Sequence, residues 1–138
     1  MQNNNEVLQI KTNPKNFFYE YLILKKPILE MILQMVNKKE INLHPKLLNV
    51  FALFLYYNNV YKDMEEKSKW KKVFDYDTKI EIMNEIGINE GHLNTYISIL
   101  RGMKLLTGKQ ISLPFIFYPD SGFELTFKFN FIDTKKDE

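Results

Sequence analysis

One glycine governs the most constraining stretch of this chain. Gly87 separates two segments whose apolar residues recur at helical spacing, and only Ile88 and Asn89 follow it before the second segment begins. In the first segment Thr78 stands three residues before Glu81. At that spacing a hydroxyl and a carboxylate each satisfy an amide left unpaired at a helix start. Ile82, Met83 and Ile86 then form one apolar side, and in the second segment Leu93, Tyr96, Ile97, Leu100 and Met103 do the same. Gly87 falls where the backbone must turn with positive φ, which a residue without Cβ adopts without strain. Ile88 plugs the corner, and Asn89 supplies a side-chain oxygen as the next N-cap. Two short helices must therefore pack around one turn, the second with a buried stripe and an open face.

A long hairpin is expected next. Ile111, Leu113, Phe115 and Phe117 alternate with Ser112, Pro114, Ile116 and Tyr118; Pro119, Asp120, Ser121 and Gly122 carry turn chemistry; and Phe123, Leu125, Phe127, Phe129 and Phe131 alternate with Glu124, Thr126, Lys128 and Asn130. Period-two alternation on both sides of such a turn predicts strand, turn, strand. The phenylalanine side should pack its base on the helices and leave only the tip, Asp120 to Gly122, projecting. Pro114 cannot donate to a ladder, so its strand is an edge there or bulges.

This order resembles the winged helix-turn-helix superfamily: short helix, glycine turn, isoleucine, polar cap, second helix, then a hydrophobic pair leading into a hairpin. The residues that carry the likeness are Ile82, Ile86, Gly87, Ile88, Asn89, Leu93, Tyr96 and Leu100, followed by Leu105 and Leu106, and it spans roughly residues 40 to 131. The resemblance implies an α+β fold, a three-helix core plus a C-terminal β-hairpin wing. An N-terminal helical extension over 1–38 precedes the winged helix domain at 39–132, and 133–138 form a disordered tail.

Upstream, Asn13 before Pro14 is a cap followed by a proline at the first helical position, with Phe17, Phe18, Tyr21 and Leu22 as the apolar side. Pro27 is expected to start another helix, striped by Ile28, Leu29, Ile32, Met35 and Val36, with Met31 and Met35 filling core space. Residues 39–43 predict a small strand. Pro45 opens a third helix through Leu47, Leu48, Val50, Phe51, Phe54, Leu55 and Tyr57, broad enough to be the central core element. In the winged-helix reading it is the first of the three core helices. Residues 62–72, charged and mixed in sign, are expected to form a solvated connector. His44 caps or packs against the helix opened by Pro45, Asp75 and Asp77 make a turn and cap, and Trp70, among Lys69, Lys71 and Lys72, seals an edge of the core.

At 138 residues and 45% hydrophobic, the chain suffices for one compact core. It has no cysteine, hence no disulfide and no thiolate metal site. The longest apolar run, residues 50–57, is too short for a bilayer, and the first residues lack a secretory plan. The expectation is a protein of the cytoplasm, of a bacterial cell or an infected host, with the virion as an alternative. No glycine-rich phosphate loop, no metal-spaced histidine or carboxylate cluster and no nucleophile beside a base is present. An enzyme is not expected, and no cofactor, metal or small-molecule substrate is expected with it.

The resemblance implies duplex DNA as the partner. The helix over 89–103 would enter the major groove from Asn89 and His92, with Asn94, Thr95 and Ser98 toward base edges, and Lys79, Arg101, Lys104 and Lys109 holding phosphates. Charge argues against a strong site. Residues 77–104 carry three basic against four acidic groups, and residues 105–138 four against five, so the chain's positive balance lies entirely upstream. Arg101 is the only arginine among 19 basic residues, and none is placed to read guanine. Affinity should be modest unless dimerisation doubles the contacts. The lysine, asparagine and isoleucine bias resembles, in style, small proteins of phages and mobile elements with AT-rich genomes. A second expectation is a winged helix repurposed for protein contact or virion assembly: Gly91, Thr95, Ser98 and Gly102 admit a close neighbour, and the N-terminal helices serve as an oligomerisation arm.

Overall fold

A computed structural model describes residues 13–119. Within them five helices and one small antiparallel strand pair form a mostly helical α+β arrangement. Helix α1 runs unbroken from Pro14–Asn37, capped by Asn13, whose side chain accepts from the Asn16 amide at 2.8 Å. The helix expected to begin at Pro27 is therefore the second half of α1. Pro27 removes one helical hydrogen bond to the Ile23 carbonyl. It lies on the exposed side, whereas Phe18, Leu22, Leu29 and Leu33 continue one buried face across it, and Met31 and Met35, expected to fill core space, are exposed because that face turns away from them. Burial on both sides of the proline keeps the helix in phase, and Lys38, at φ 56°, ends it.

Residues 39–43 form no strand. Their alternation is real, since Ile41 and Leu43 are buried, but among the described residues no strand pairs with them. Side chains of α1 take the ladder's place: Leu43 donates its amide to the Glu30 carboxylate at 2.7 Å, and Gln34 donates to the Ile41 carbonyl at 3.2 Å. Helix α2, Pro45–Val60, follows with His44 as its cap and most of its length buried, which makes it the central element.

The charged segment expected to be a connector contains helix α3, Glu66–Val73. Its buried side is short, Trp70 and Val73 together with Lys69, and the charges satisfy one another locally. Glu66 accepts from the Trp70 indole at 2.9 Å and from the Lys69 ammonium at 3.2 Å, while that ammonium sits 4.2 Å from the Trp70 ring centroid. Trp70 thus seals a core edge as expected.

Helices α4, Tyr76–Ile86, and α5, Glu90–Gly102, flank Gly87. The cap of α4 is Asp75 rather than Thr78; Thr78 is buried and its hydroxyl donates to the Lys72 carbonyl at 2.8 Å. After α5, strands β1, Leu106–Thr107, and β2, Gln110–Ile111, pair with Leu106 opposite Ile111. Gly108, at φ 60°, takes the first central position of a two-residue turn, where tight hairpins favour glycine. The Ser112 amide adds a bond to the Leu105 carbonyl at 3.0 Å, and the chain then enters a single 3₁₀ turn, Leu113–Phe115. The strand expected along 111–118 therefore stops at Ile111, because Pro114 has no amide to extend a ladder and Leu113 is exposed. The expected tip at Asp120 to Gly122, the returning strand 123–131 and the tail 133–138 lie outside the described residues.

The buried faces of α1, α2, α4, α5 and the strand pair meet in one core that includes Phe18, Leu33, Phe51, Phe54, Ile82, Leu93, Leu100 and Ile111. Among the described residues no helix is long and apolar enough to cross a membrane.

Candidate nucleic-acid interface

The corner between α4 and α5 is built from caps. Asp75 accepts from the Thr78 amide at 2.8 Å and pairs with Lys72 at 3.3 Å. Partial burial opposes ionisation of its carboxyl, but the Thr78 and Lys72 contacts outweigh this and hold it below the usual carboxylate range. Gly87 ends α4 at φ 77°, its amide bonded to the Met83 carbonyl at 2.8 Å. Asn89 then accepts from the His92 amide at 2.8 Å, starting α5 as expected. His44 of the α2 cap packs against Tyr96 with ring centroids 5.5 Å apart and the rings tilted by 54°, and Lys15 of α1 pairs with Glu85 at 3.2 Å. These two contacts fix α5 and α4 against the rest of the molecule.

One side of α5 is sealed: Leu93, Ile97 and Leu100 are buried. The other side is open along its length through Gly91, Asn94, Thr95, Ser98, Arg101 and Gly102, all exposed. Asn94, Ser98 and Arg101 follow at spacings of four and three, one row of about 10 Å at 1.5 Å per residue. The Thr95 hydroxyl donates to the Gly91 carbonyl at 3.0 Å, so its proton is used within the helix and its oxygen remains as an acceptor.

The helix ends in a motif the sequence did not reveal. The Leu105 amide bonds to the Leu100 carbonyl and the Lys104 amide to the Arg101 carbonyl, both at 3.0 Å, with Lys104 in the left-handed region at φ 70°. This pairing is a Schellman closure in which lysine stands where glycine is usual. It reverses the chain into β1. Arg101 reaches across and donates from Nε to the Gly108 carbonyl at 2.7 Å. Arg101 thus reaches the turn that carries Lys109, Lys104 lies in the closing turn of α5, and all three are exposed; Lys109 also lines a groove with Glu65, Glu66 and Asp75.

Of the nine residues expected to touch DNA, Asn94, Thr95, Ser98, Arg101, Lys104 and Lys109 lie on α5, its closing turn or the turn after β1. His92 is exposed in the first turn of α5, and Asn89 beside it spends its oxygen on the cap. Lys79 stands apart: it is half-buried on α4, on the side that carries Ile82 and Ile86. The acidic Glu90 is exposed at the opposite end of α5 from the cations. The positive end of the surface is therefore the C-terminal one.

Away from this surface, Glu66 is held below the usual carboxylate range by the Trp70 indole first and Lys69 second. Burial raises Tyr57, and its hydrogen bond to Glu81 acts in the same direction. Among the described residues no group of three histidine, cysteine or acidic side chains is placed to hold a metal ion. No family model, curated protein or solved structure matches the chain.

Proposed function

We propose that this chain is a non-catalytic, winged-helix-type module that binds duplex DNA through α5 and the turn after β1. The observation that carries the reading is the open row of α5, Asn94, Thr95 and Ser98, terminated by the exposed cations Arg101, Lys104 and Lys109. Asparagine offers a paired donor and acceptor to an adenine edge, and threonine or serine can approach phosphate or a thymine methyl. The cations hold the backbone at one end and set the register. In this reading the strand-pair turn is a very short wing with Gly108 and Lys109 at its tip, and Lys79 contributes little because it faces the core side of α4.

Three cations imply few phosphate contacts. Each neutralised phosphate contributes roughly −0.9 to the slope of log affinity against log salt, so the wild-type slope should be near −2.7. Fluorescence anisotropy with a labelled duplex, titrated from low salt upward, tests this. Lys109→Ala is the cleanest variant, since Arg101→Ala would also release the bond to Gly108. It should weaken binding across sequences and make the slope shallower by about 0.9. Absence of binding at low salt, or a slope unmoved by Lys109→Ala, removes the reading.

A further inference from the structure

The groove between α3 and the turn after β1, about 680 Å³, is lined by three acids, Glu65, Glu66 and Asp75, and three cations, Lys67, Lys71 and Lys109. Their charges cancel in number but not in pairing. Glu66 is paired with Lys69 at 3.2 Å and accepts from the Trp70 indole; Asp75 is paired with Lys72 at 3.3 Å and accepts from the Thr78 amide. Neither Lys69 nor Lys72 lines the groove, so two of its acids are neutralised by cations that stand outside it. The Glu65 carboxylate accepts from the Ser68 hydroxyl at 3.1 Å, a neutral partner. Among the described residues Lys67, Lys71 and Lys109 belong to no ion pair, and all three are exposed. Three unpaired ammonium groups against one uncompensated carboxylate leave the groove positive, and a cleft with an excess of one charge concentrates the opposite one.

The aromatic lining narrows the ligand. Trp70 is 8% exposed with the Lys69 ammonium over its ring, and Phe74 stacks on Phe54 with centroids 4.6 Å apart. Their stacking is used within the protein, so the groove is suited to hold phosphate by charge rather than a base by stacking. Lys67 and Lys71 stand four residues apart on α3, neighbours on one face about 6 Å apart along the axis. Such a row suits successive phosphates of one strand. Arg101 donates to the Gly108 carbonyl, one residue before Lys109, which makes the groove continuous with the end of α5.

We infer that this groove takes the phosphate backbone of one strand of the duplex bound by α5, with Lys67 and Lys71 holding it from α3 and Lys109 from the turn. The inference rests on the DNA reading and adds α3 to it as a second anchoring element.

The anisotropy titration against salt separates the two. Arg101, Lys104 and Lys109 alone give a slope of about −2.7, and two further phosphate contacts bring it to about −4.5. Lys67→Ala with Lys71→Ala should return the slope to about −2.7 with an unchanged circular dichroism spectrum, because both positions are exposed. Lys25→Ala with Lys26→Ala removes the same charge from α1 and should leave the slope in place. Glu65→Gln, which removes the groove's uncompensated carboxylate, should tighten binding roughly twofold to fivefold. A wild-type slope near −2.7 that the Lys67 and Lys71 substitutions do not move overturns the inference and leaves the α5 reading standing. An equal change from Lys25→Ala with Lys26→Ala also overturns it, because charge anywhere on the chain would then suffice. Inorganic pyrophosphate offers the same chemistry without a duplex; if its binding requires Lys67 and Lys71 while duplex binding does not, the groove serves a small phosphorylated ligand and the inference fails. A wild-type chain that binds no duplex overturns both readings.

Discussion

Lys104 is the residue at which structure and proposed function pull in opposite directions. At φ 70° it occupies a backbone region that costs an L-residue about 1 kcal/mol, and glycine would remove that strain. Its ammonium is nevertheless one of the three exposed cations on which the proposed DNA contact relies. Lys104→Gly should therefore raise stability in urea unfolding by up to about 1 kcal/mol, while lowering DNA affinity in the anisotropy titration. Gly87, at φ 77°, meets the same backbone demand with the usual residue. Asp75 adds a pH dependence. Its carboxyl is lowered in the folded state, so its charge stabilises the fold above the unfolded value, near 4, and that contribution disappears as pH falls through the lower folded value. Asp75→Asn keeps an oxygen for the Thr78 amide but cannot ionise. Melting temperatures of the two proteins should differ most near neutral pH and converge on acidification.

At the scale of elements, α1 shows how burial overrides a local break. A proline inside a helix costs about 3 kcal/mol, yet the buried face from Phe18 to Leu33 carries the helix through Pro27. Pro27 is exposed, so Pro27→Ala restores the bond to the Ile23 carbonyl without disturbing the core. Thermal melting should show a gain of about 1–3 kcal/mol, less where the bend itself improves packing. Helix α3 teaches the reverse lesson. Five of its eight residues are charged, and only Trp70 and Val73 tie it to the core, with Lys69 buried against the Trp70 ring and Glu66. A lone aromatic among lysines is a weak periodic signal, which is why the segment reads as a connector until its tertiary partners are seen.

Across the whole molecule, α1 is part of the single core that supports α5. Phe18 packs near Tyr56 of α2 and Phe117 beyond the strand pair, with centroids 6.4 and 5.3 Å apart. The Asn37 amide donates both to the Leu33 carbonyl at 2.9 Å and to the Met103 carbonyl at 3.0 Å, joining the end of α1 to the end of α5. Phe18→Ala should accordingly cost about 3–5 kcal/mol in chemical denaturation, and the loss should register equally in probes on α1 and on α5. A transition confined to α1 would show that it folds apart from the rest.

The turn at Gly87, the cap at Asn89, the stripe of α5 and the start of α2 were legible in the residues themselves, because caps, glycine turns and helical periodicity act over three or four positions. The open side of α5 followed from the same periodicity. What neighbours decide was not legible. Asp75 was legible as a cap, but not that Thr78 turns inward to the Lys72 carbonyl instead of capping beside it. Residues 39–43 stay single because α1 side chains occupy their backbone groups, and the strand pair closes at Gly108 because Leu106 lies opposite Ile111. The reach of Arg101 to the Gly108 carbonyl likewise depends on a Schellman turn that no glycine announces. Local chemistry specified the elements; their ends and partners were set by which distant group satisfies each amide or carbonyl left unpaired within its own element.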